Sequence, residues 1–267
     1  MKIYSHSLQG KRPSNEDQHF HILNLNGSNK SLCNINIIGV CDGHGGPAIS
    51  KYLKNILPPI LLDRKYKKYI HNESVGYKYI NDMFDRVQLN LVSSHPRLAN
   101  RSGSTCCLGI HYIDSNNNHR LWLANVGDSR AVKCNRNGKA EQLTEDHKPN
   151  SKNEKYRIAQ LGGKIVFDGV DWRINDLSLS RAFGDLDAQP HVTHIPQIYN
   201  YKLSTFDKFI IFACDGLWDV VSNQEAVNFV SKLIKSNSNS NYAKELSEYA
   251  IAKGSLDNVT VVIYSFY

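Results

Sequence analysis

The amino-acid sequence predicts an α+β fold, a layered sandwich in which antiparallel β-strands pack between helices. Apolar runs rich in β-branched residues come in clusters along the chain, and helical patterns fall in pairs between those clusters. This order argues against alternating βαβ units and a parallel sheet. With 267 residues, of which 41% are hydrophobic and 21% charged, the chain can bury a large core. The length allows one large core or two small ones. No linker rich in Pro, Gly or Ser divides the chain, and we expect a single domain over residues 1–267.

The predicted strands are continuous or alternating apolar runs that end at Gly, Asp or Asn, as strands do. They cover residues 19–25, 35–41, 105–113, 120–126, 131–134, 208–214 and 259–266. Several of these runs begin or end directly beside an acidic residue.

The predicted helices have apolar residues spaced three and four positions apart. They cover residues 48–62, 77–92, 154–161, 223–234 and 242–252. In the first of them, Pro58 and Pro59 predict an interruption, because proline removes a backbone N–H from the helix. The basic segment 63–68 and the Ser/Asn-rich segment 236–241 are predicted as loops.

Composition and charge disfavour several classes of protein. The net charge is +7, but the 32 Lys and Arg residues are scattered, so we expect no nucleic-acid partner. No apolar run approaches the roughly 20 residues of a membrane helix, and we expect no membrane association. The N-terminus lacks the apolar stretch of a secretory signal. The six cysteines form no C-x-x-C pair, which favours an intracellular location, cytoplasmic or nuclear. Five of them lie in or beside apolar runs and are expected to be buried, namely Cys33, Cys41, Cys106, Cys107 and Cys214.

Carboxylates fall repeatedly at strand ends. Glu16 and Asp17 precede the first predicted strand, Asp42 and Asp215 each follow a strand and open an Asp-Gly pair, and Asp257 precedes the last strand. One such residue alone is typical of a turn, but the repetition favours a site for several metal ions.

The charges of these carboxylates are consistent with two divalent cations. If all of them converge, two such cations reduce a charge of −5 to −1, and one arginine brings it to zero; Arg12 is the candidate. An oxygen-rich ligand set without a Cys or His cluster selects Mg²⁺ or Mn²⁺ over Zn²⁺.

Eight short motifs follow one another over nearly the whole chain. They are Arg12-x-x-x-Glu16-Asp17, Asp42-Gly-His-Gly-Gly46, Gly103-Ser-Thr105, Asn125-Val-Gly-Asp128-Ser-Arg130, Asp146-His-Lys-Pro149, Ser180-Arg-Ala-Phe-Gly-Asp185, Cys214-Asp-Gly-Leu-Trp-Asp219 and Asp257-Asn258. The series resembles, in the same order, that of the metal-dependent Ser/Thr protein phosphatases of type 2C, the PPM family. This resemblance implies a four-layer αββα sandwich of two antiparallel β-sheets flanked by helices.

The resemblance implies a ligand set for two Mg²⁺ or Mn²⁺ ions. Asp42 would bridge the two ions, with Glu16 and the carbonyl of Gly43 on one side and Asp215 and Asp257 on the other. A third, weaker ion binds in some relatives where this chain has Asp128, and Asp219 would lie near it.

The resemblance also implies catalytic roles. Arg12 would hold the phosphate oxygens, for which a guanidinium is well shaped. Asp17 would orient water bound to the metals, and His44 would donate a proton to the leaving group. For Asp146 and Asp185, a structural role in turns is preferred. Residues 162–181 correspond to the family's flap beside the active site.

The activity implied is hydrolysis of phosphoserine and phosphothreonine on proteins by a water activated between two metal ions. Phosphorylated proteins would be the partners, and we expect a monomer. Two alternatives remain open within this fold: a phosphatase for small phosphorylated metabolites, and a catalytically weak scaffold. A basic nucleic-acid-binding module is a third alternative, which the scattered charges disfavour.

Overall fold

The computed structural model describes residues 1–27, 29–236 and 239–266, and it is a mixed α/β structure with antiparallel sheets. The strands are β1 (Lys2–Leu8), β2 (Gln18–Leu23), β3 (Asn36–Cys41), β4 (Gly43–His44), β5 (Gly103–Ser104), β6 (Cys106–Ile113), β7 (His119–Val126), β8 (Arg130–Cys134), β9 (Ala140–Gln142), β10 (Val166–Phe167), β11 (Trp172–Arg173), β12 (Phe183–Gly184), β13 (Gln197–Lys202), β14 (Phe209–Ala213) and β15 (Val259–Ser265). The α-helices are α1 (Ala48–Leu62), α2 (Lys67–Ile70), α3 (Glu73–Ser94), α4 (Pro96–Arg101), α5 (Lys152–Gln160), α6 (Asp215–Trp218), α7 (Asn223–Lys235) and α8 (Tyr242–Ala252).

Two five-stranded antiparallel sheets form the centre of the structure. One has the order β1-β15-β14-β8-β9 and the other the order β13-β7-β6-β3-β2. Helices α7 and α8 pack on the outer face of the first sheet, and α1 and α3 on the outer face of the second. The predicted α+β sandwich of two antiparallel sheets flanked by helices is therefore confirmed.

The central strands are apolar on both faces because each face packs against another layer. In β14, Ile211 points into the core shared with α7 and α8, whereas Phe212 points into the core between the sheets. In β3, Ile37 faces the helices and Ile38 faces the other sheet. Side chains alternate along a strand, so a strand buried on both sides appears as one continuous apolar run.

Every predicted strand and helix is present, with ends shifted by a few residues in most cases, but two details were wrong. Helix α1 runs unbroken through Pro58 and Pro59. The φ of proline is compatible with a helix, and Leu57 and Leu61, both fully buried, anchor the last turns to the core. Segment 63–68 forms a 3₁₀ turn and part of α2 instead of a loop.

Other expectations have mixed outcomes. All six cysteines are buried and free, which confirms the prediction for five of them and adds Cys134, for which none was made. The predicted loop at 236–241 includes residues 237–238, which lie outside the described residues.

Strands β1 and β13 were missed by sequence reasoning. Both lie at sheet edges, where half-buried polar residues weaken the strand pattern.

We predict that Phe212→Ala lowers the free energy of unfolding by about 3–5 kcal/mol, because it leaves a cavity between the sheets. Phe212 is fully buried there. The matched control is Phe206→Ala at a residue that is 56% exposed, with an expected change within about 0.5 kcal/mol. Denaturant titration of the two variants and of the wild type measures the free energy of unfolding of each. Equal losses in the two variants would contradict the inter-sheet core.

Candidate metal centre

The acidic residues converge because antiparallel pairing brings strand ends together. Strand β2 begins where its neighbour β3 ends, and β14 ends where its neighbour β15 begins. Glu16 and Asp17 precede β2, Asp42 follows β3, Asp215 follows β14 and Asp257 precedes β15. The two sheets therefore contribute carboxylates to one end of the sandwich.

A cavity of about 350 Å³ opens at this end. Each of the predicted site residues except Asp17 lines it, namely Arg12, Glu16, Asp42, Gly43, His44, Asp128, Asp215 and Asp257. Asp219 is not among the lining residues. Asp17 lies behind Asp42, and an oxygen from each carboxylate lies within 4.8 Å of the other and of the Cys214 sulfur.

Asn258 fixes the N-terminal loop that carries Glu16. The Asn258 side-chain amide donates to the carbonyls of Gln9 and Ser14 at 2.7 and 2.9 Å, and its Oδ1 accepts from the backbone N–H of Glu16 at 2.8 Å. The Glu16 carboxylate in turn accepts from the backbone N–H of Gly46 at 2.8 Å. These bonds hold the carboxylate beside the cavity and join residues from both ends of the chain.

The loop between β3 and β4 is fixed by Thr105. The backbone N–H of Asp42 donates to Thr105 Oγ1 at 3.0 Å, and the Asp42 carbonyl accepts from the Thr105 N–H at 2.8 Å. Gly43 must be a glycine, because a Cβ there would lie 2.5 Å from the carbonyl oxygen of Glu16. The close approach of the two loops thus depends on a missing side chain.

Burial and mutual repulsion disfavour the ionised forms of these carboxylates. Burial, then the charges of Asp17 and Asp215, raise the pKa of Asp42 well above its usual range. Burial, with Asp128 nearby, raises the pKa of Asp215 to about 8. Burial raises the pKa of Asp17 to about 6. Carboxylates this close together are ionised at the same time only when positive charge compensates them, and otherwise they take up protons.

The residues present fit hard divalent cations. Asp17 is buried, and within the described part of the chain neither of its carboxylate oxygens has a hydrogen-bond partner. Orphaned buried oxygens are unusual unless an ion or water satisfies them. Burial raises the pKa of the Cys214 thiol well above its usual range, which disfavours the thiolate. Most of the other side chains that could hold a metal ion at the cavity are carboxylates, whose oxygens suit hard cations.

Lys148 is a site residue that the sequence analysis missed. Its Nζ lies 2.5 Å from Asp128 Oδ2 and 3.8 Å from Asp215 Oδ2. Burial opposes the charged amine, but the two carboxylates raise the pKa of Lys148 above its usual range. The only sequence signal was its place in the Asp146–Pro149 motif. Lys148 therefore neutralises the side of the cavity where a third ion was expected.

Arg12 lies at the mouth of the cavity. Its Nη2 donates to Asp257 Oδ2 at 2.6 Å, and its side chain is 57% exposed. The guanidinium can reach an incoming anion while one edge stays paired. From the 162–181 segment, Arg173, Leu177, Ser178 and Leu179 also line the cavity.

The two aspartates for which a structural role was predicted, Asp146 and Asp185, have different hydrogen-bond partners. Asp146 accepts a bidentate pair of hydrogen bonds from Arg130 at 2.9 and 2.6 Å, which agrees with a structural role. Asp185 instead lies against the site, since its Oδ2 is 2.7 Å from His44 Nε2. Sequence spacing gave no sign of this contact, which joins residues 141 positions apart.

Comparisons with known sequences agree with the family resemblance of the motifs. The family model for protein phosphatase 2C matches residues 1–259. Probable protein phosphatase 2C 59 of Arabidopsis thaliana is 37% identical over 262 residues, which are 98% of this chain and 78% of that protein. A PP2C-like domain-containing protein of Acanthamoeba polyphaga mimivirus is 43% identical over 177 residues, which are 58% of this chain and 98% of that protein.

A structural comparison supports the fold. The crystal structure of a serine-threonine phosphatase 2C from Toxoplasma gondii superposes with a TM-score of 0.82 over 99% of this chain and 94% of that chain. Sequence identity is 22%, so this likeness bears on the fold alone. The family match and the relatives show more: the chain belongs to the protein phosphatase 2C family, and it is a protein serine/threonine phosphatase.

Proposed function

We propose that this phosphatase hydrolyses phosphoserine and phosphothreonine with a pair of Mg²⁺ or Mn²⁺ ions. The observation that carries the proposal is the convergence of carboxylates from two sheets on one cavity. Two such ions, when bound, neutralise the phosphoryl oxygens and lower the pKa of a water that attacks phosphorus. Protein kinases produce the substrates of this reaction, and no protein nucleophile is needed.

The carboxylates would hold the ions from both sheets. Asp42 lies centrally and would contact both. Glu16 and the carbonyl of Gly43 would complete one position, and Asp215 and Asp257 the other. A carboxylate whose ionised form is disfavoured in the metal-free protein gains most from a cation, which favours these residues as ligands.

Three further side chains would act on substrate and water. Arg12 would bind phosphate oxygens at the cavity mouth, for which its planar fork of N–H groups is suited. Asp17, behind Asp42, would accept a hydrogen bond from water in the site and orient it. His44 lines the cavity and would donate a proton to the departing serine or threonine oxygen.

Lys148 bears on the proposed third ion at Asp128. An ion bound there would have to displace the Lys148 ammonium, which lies 2.5 Å from Asp128 Oδ2. Lys148 therefore compensates the negative charge of Asp128 beside the two-ion site. We propose that the pair of ions is sufficient for turnover and that a third binds only at higher concentration.

The alternatives are less well supported. A scaffold without activity would not need to retain every carboxylate of the site, and all of them line or adjoin the cavity. No observation specifically favours small metabolites as substrates.

Within the described residues no helix is long and apolar enough to cross a membrane. Intracellular location and a monomeric state stay predictions.

We predict that hydrolysis of a phosphothreonine peptide requires Mg²⁺ or Mn²⁺, because the carboxylate cluster alone repels an anionic substrate. Activity should vanish after exhaustive chelation and return on adding Mn²⁺ but not Ca²⁺, which binds with looser geometry. Phosphate release measured across a metal titration tests this. Full activity in the chelated protein would contradict the proposal.

Asp42→Asn should abolish turnover and at the same time stabilise the metal-free protein. In wild type, Asp42 must either keep a buried charge beside other carboxylates or take up a proton on folding, and asparagine does neither. We expect a melting temperature in chelator roughly 2–4 °C or more above wild type, and little further rise with Mn²⁺. Differential scanning calorimetry with and without Mn²⁺ measures both effects.

The matched control for Asp42→Asn is Asp82→Asn, which alters a surface carboxylate paired with Lys78. It should keep wild-type activity and the wild-type gain in melting temperature with Mn²⁺. An Asp42→Asn protein that is less stable than wild type in chelator, yet gains as much from Mn²⁺, would contradict the role of Asp42.

His44→Gln should slow phosphopeptides far more than p-nitrophenyl phosphate. A serine alkoxide is a poor leaving group that needs a proton, whereas nitrophenolate departs unaided. General acid catalysis is typically worth about 10²–10⁴ in rate, so a loss of that order is expected for peptides only. Steady-state kcat for both substrates at saturating Mn²⁺ provides the measurement. Equal losses would indicate damage to the site and not a lost proton donor.

A further inference from the structure

The small three-stranded sheet places Asp185 next to His44. Strand β5 lies between β4 and β12, so that His44 and Gly184 both pair with Gly103 from opposite sides. Asp185 directly follows β12. Asp185 and His44 therefore lie on opposite sides of Gly103. The Asp185 carboxylate contacts the imidazole across this residue.

The backbone of Asp185 is held in the conformation that makes this turn. Asp185 has φ 46° and ψ 45°, in the left-handed region that few residues other than glycine occupy. Its N–H donates to the carbonyl of Ser102 at 3.1 Å, and its carbonyl accepts from the N–H of Ala188 at 3.0 Å. The residue is only 5% exposed. A rare, buried conformation of this kind is often found at functional sites.

Gly103 leaves the space that the carboxylate needs. A Cβ at this position would lie 2.1 Å from Asp185 Oδ2 and 2.5 Å from His44 Nε2. No other residue type can occupy this position without separating the two side chains. The 2.7 Å contact between His44 Nε2 and Asp185 Oδ2 thus depends on the sheet, the turn and the missing side chain together.

We propose that Asp185 is a positioning residue for His44. The inference rests on the proposed function, in which His44 gives a proton to the leaving group. Asp185 accepts the Nε2–H hydrogen bond, which fixes the orientation of the ring and leaves Nδ1 to serve the cavity. A carboxylate that orients a histidine through its second nitrogen is a recurring device in catalytic sites.

The proton transfer balances with this arrangement. Water forms a bond to phosphorus as the bond from phosphorus to the serine oxygen breaks. The attacking water gives up one proton to solvent. The ring, which is protonated on both nitrogens when it acts as the acid, passes its Nδ1 proton to the serine oxygen and keeps its Nε2 proton directed at Asp185. It regains a proton from solvent before the next turnover. Without the carboxylate, the ring can rotate or keep its proton on the wrong nitrogen.

Asp185→Asn tests the proposal because asparagine tolerates the left-handed conformation and has the same size. With Mn²⁺ saturating, kcat for a phosphothreonine peptide should fall about 10–100-fold, the usual cost of removing such a partner. Hydrolysis of p-nitrophenyl phosphate should fall less than about threefold, since its leaving group needs no proton. The Kd for Mn²⁺, measured by calorimetry, should be unchanged. Asp187→Asn is the matched control, at an exposed carboxylate, and should match wild type.

The double variant separates positioning from a structural role. In the His44→Gln background, Asp185→Asn should cause no further loss on peptides, because the ring that it positions is gone. A second readout needs no turnover: nitrogen-15 spectra of the Mg²⁺-loaded wild type should show the neutral His44 ring protonated on Nε2.

Several outcomes would overturn the proposal. Equal losses on both substrates, additive losses in the double variant, a weaker Kd for Mn²⁺, or a neutral ring protonated on Nδ1 would each do so. If His44→Gln itself shows no dependence on the leaving group, the proton-donor role falls and the positioning role with it. If His44→Gln shows that dependence and Asp185→Asn does not, only the positioning role falls.

Discussion

The repulsion among buried and half-buried carboxylates at one end of the sandwich is the constraint on which the rest of the structure depends. Two sheets that must pack face to face also bring Asp42 and Asp215 to the same cavity, with Asp17 behind. Two carboxylates at 4 Å repel by roughly 4 kcal/mol at an effective dielectric of 20. Burial, and after it this repulsion, raise the pKa values of Asp42 and Asp215. The packing of the fold therefore keeps carboxylates together although they repel each other, and the proposed cations would reduce this repulsion.

Much of the surrounding chain serves to hold these charges in place. Asn258 ties the loop that carries Glu16 to the last strand, and Lys148 neutralises Asp128. Arg12 does the same for Asp257 while remaining exposed to an incoming phosphate. Asn258 thus fixes the position of one carboxylate, and Lys148 and Arg12 each supply a positive charge to another. Concentrating charge where a phosphate would bind lowers the stability of the metal-free protein.

The sequence predicted those parts that depend on local patterns. Apolar runs located the central strands, and an Asp directly after a strand, as at Asp42 and Asp215, located the carboxylates. Lys148, Arg173 and Asp185 were not predicted as site residues, because their roles arise from contacts between distant segments. The unbroken helix through Pro58 shows the same limit, since packing by buried leucines outweighs the local preference.

The most direct test of the account is a crystal structure with Mn²⁺, using anomalous scattering at the manganese edge. The account predicts two peaks in the cavity about 3.5–4 Å apart, the usual separation in two-metal sites, with Asp42 bound to both. Glu16 should contact one peak and Asp215 the other, and Lys148 should still pair with Asp128. A single peak, or a peak held by Asp17 and Cys214 with Asp42 unbound, would contradict it.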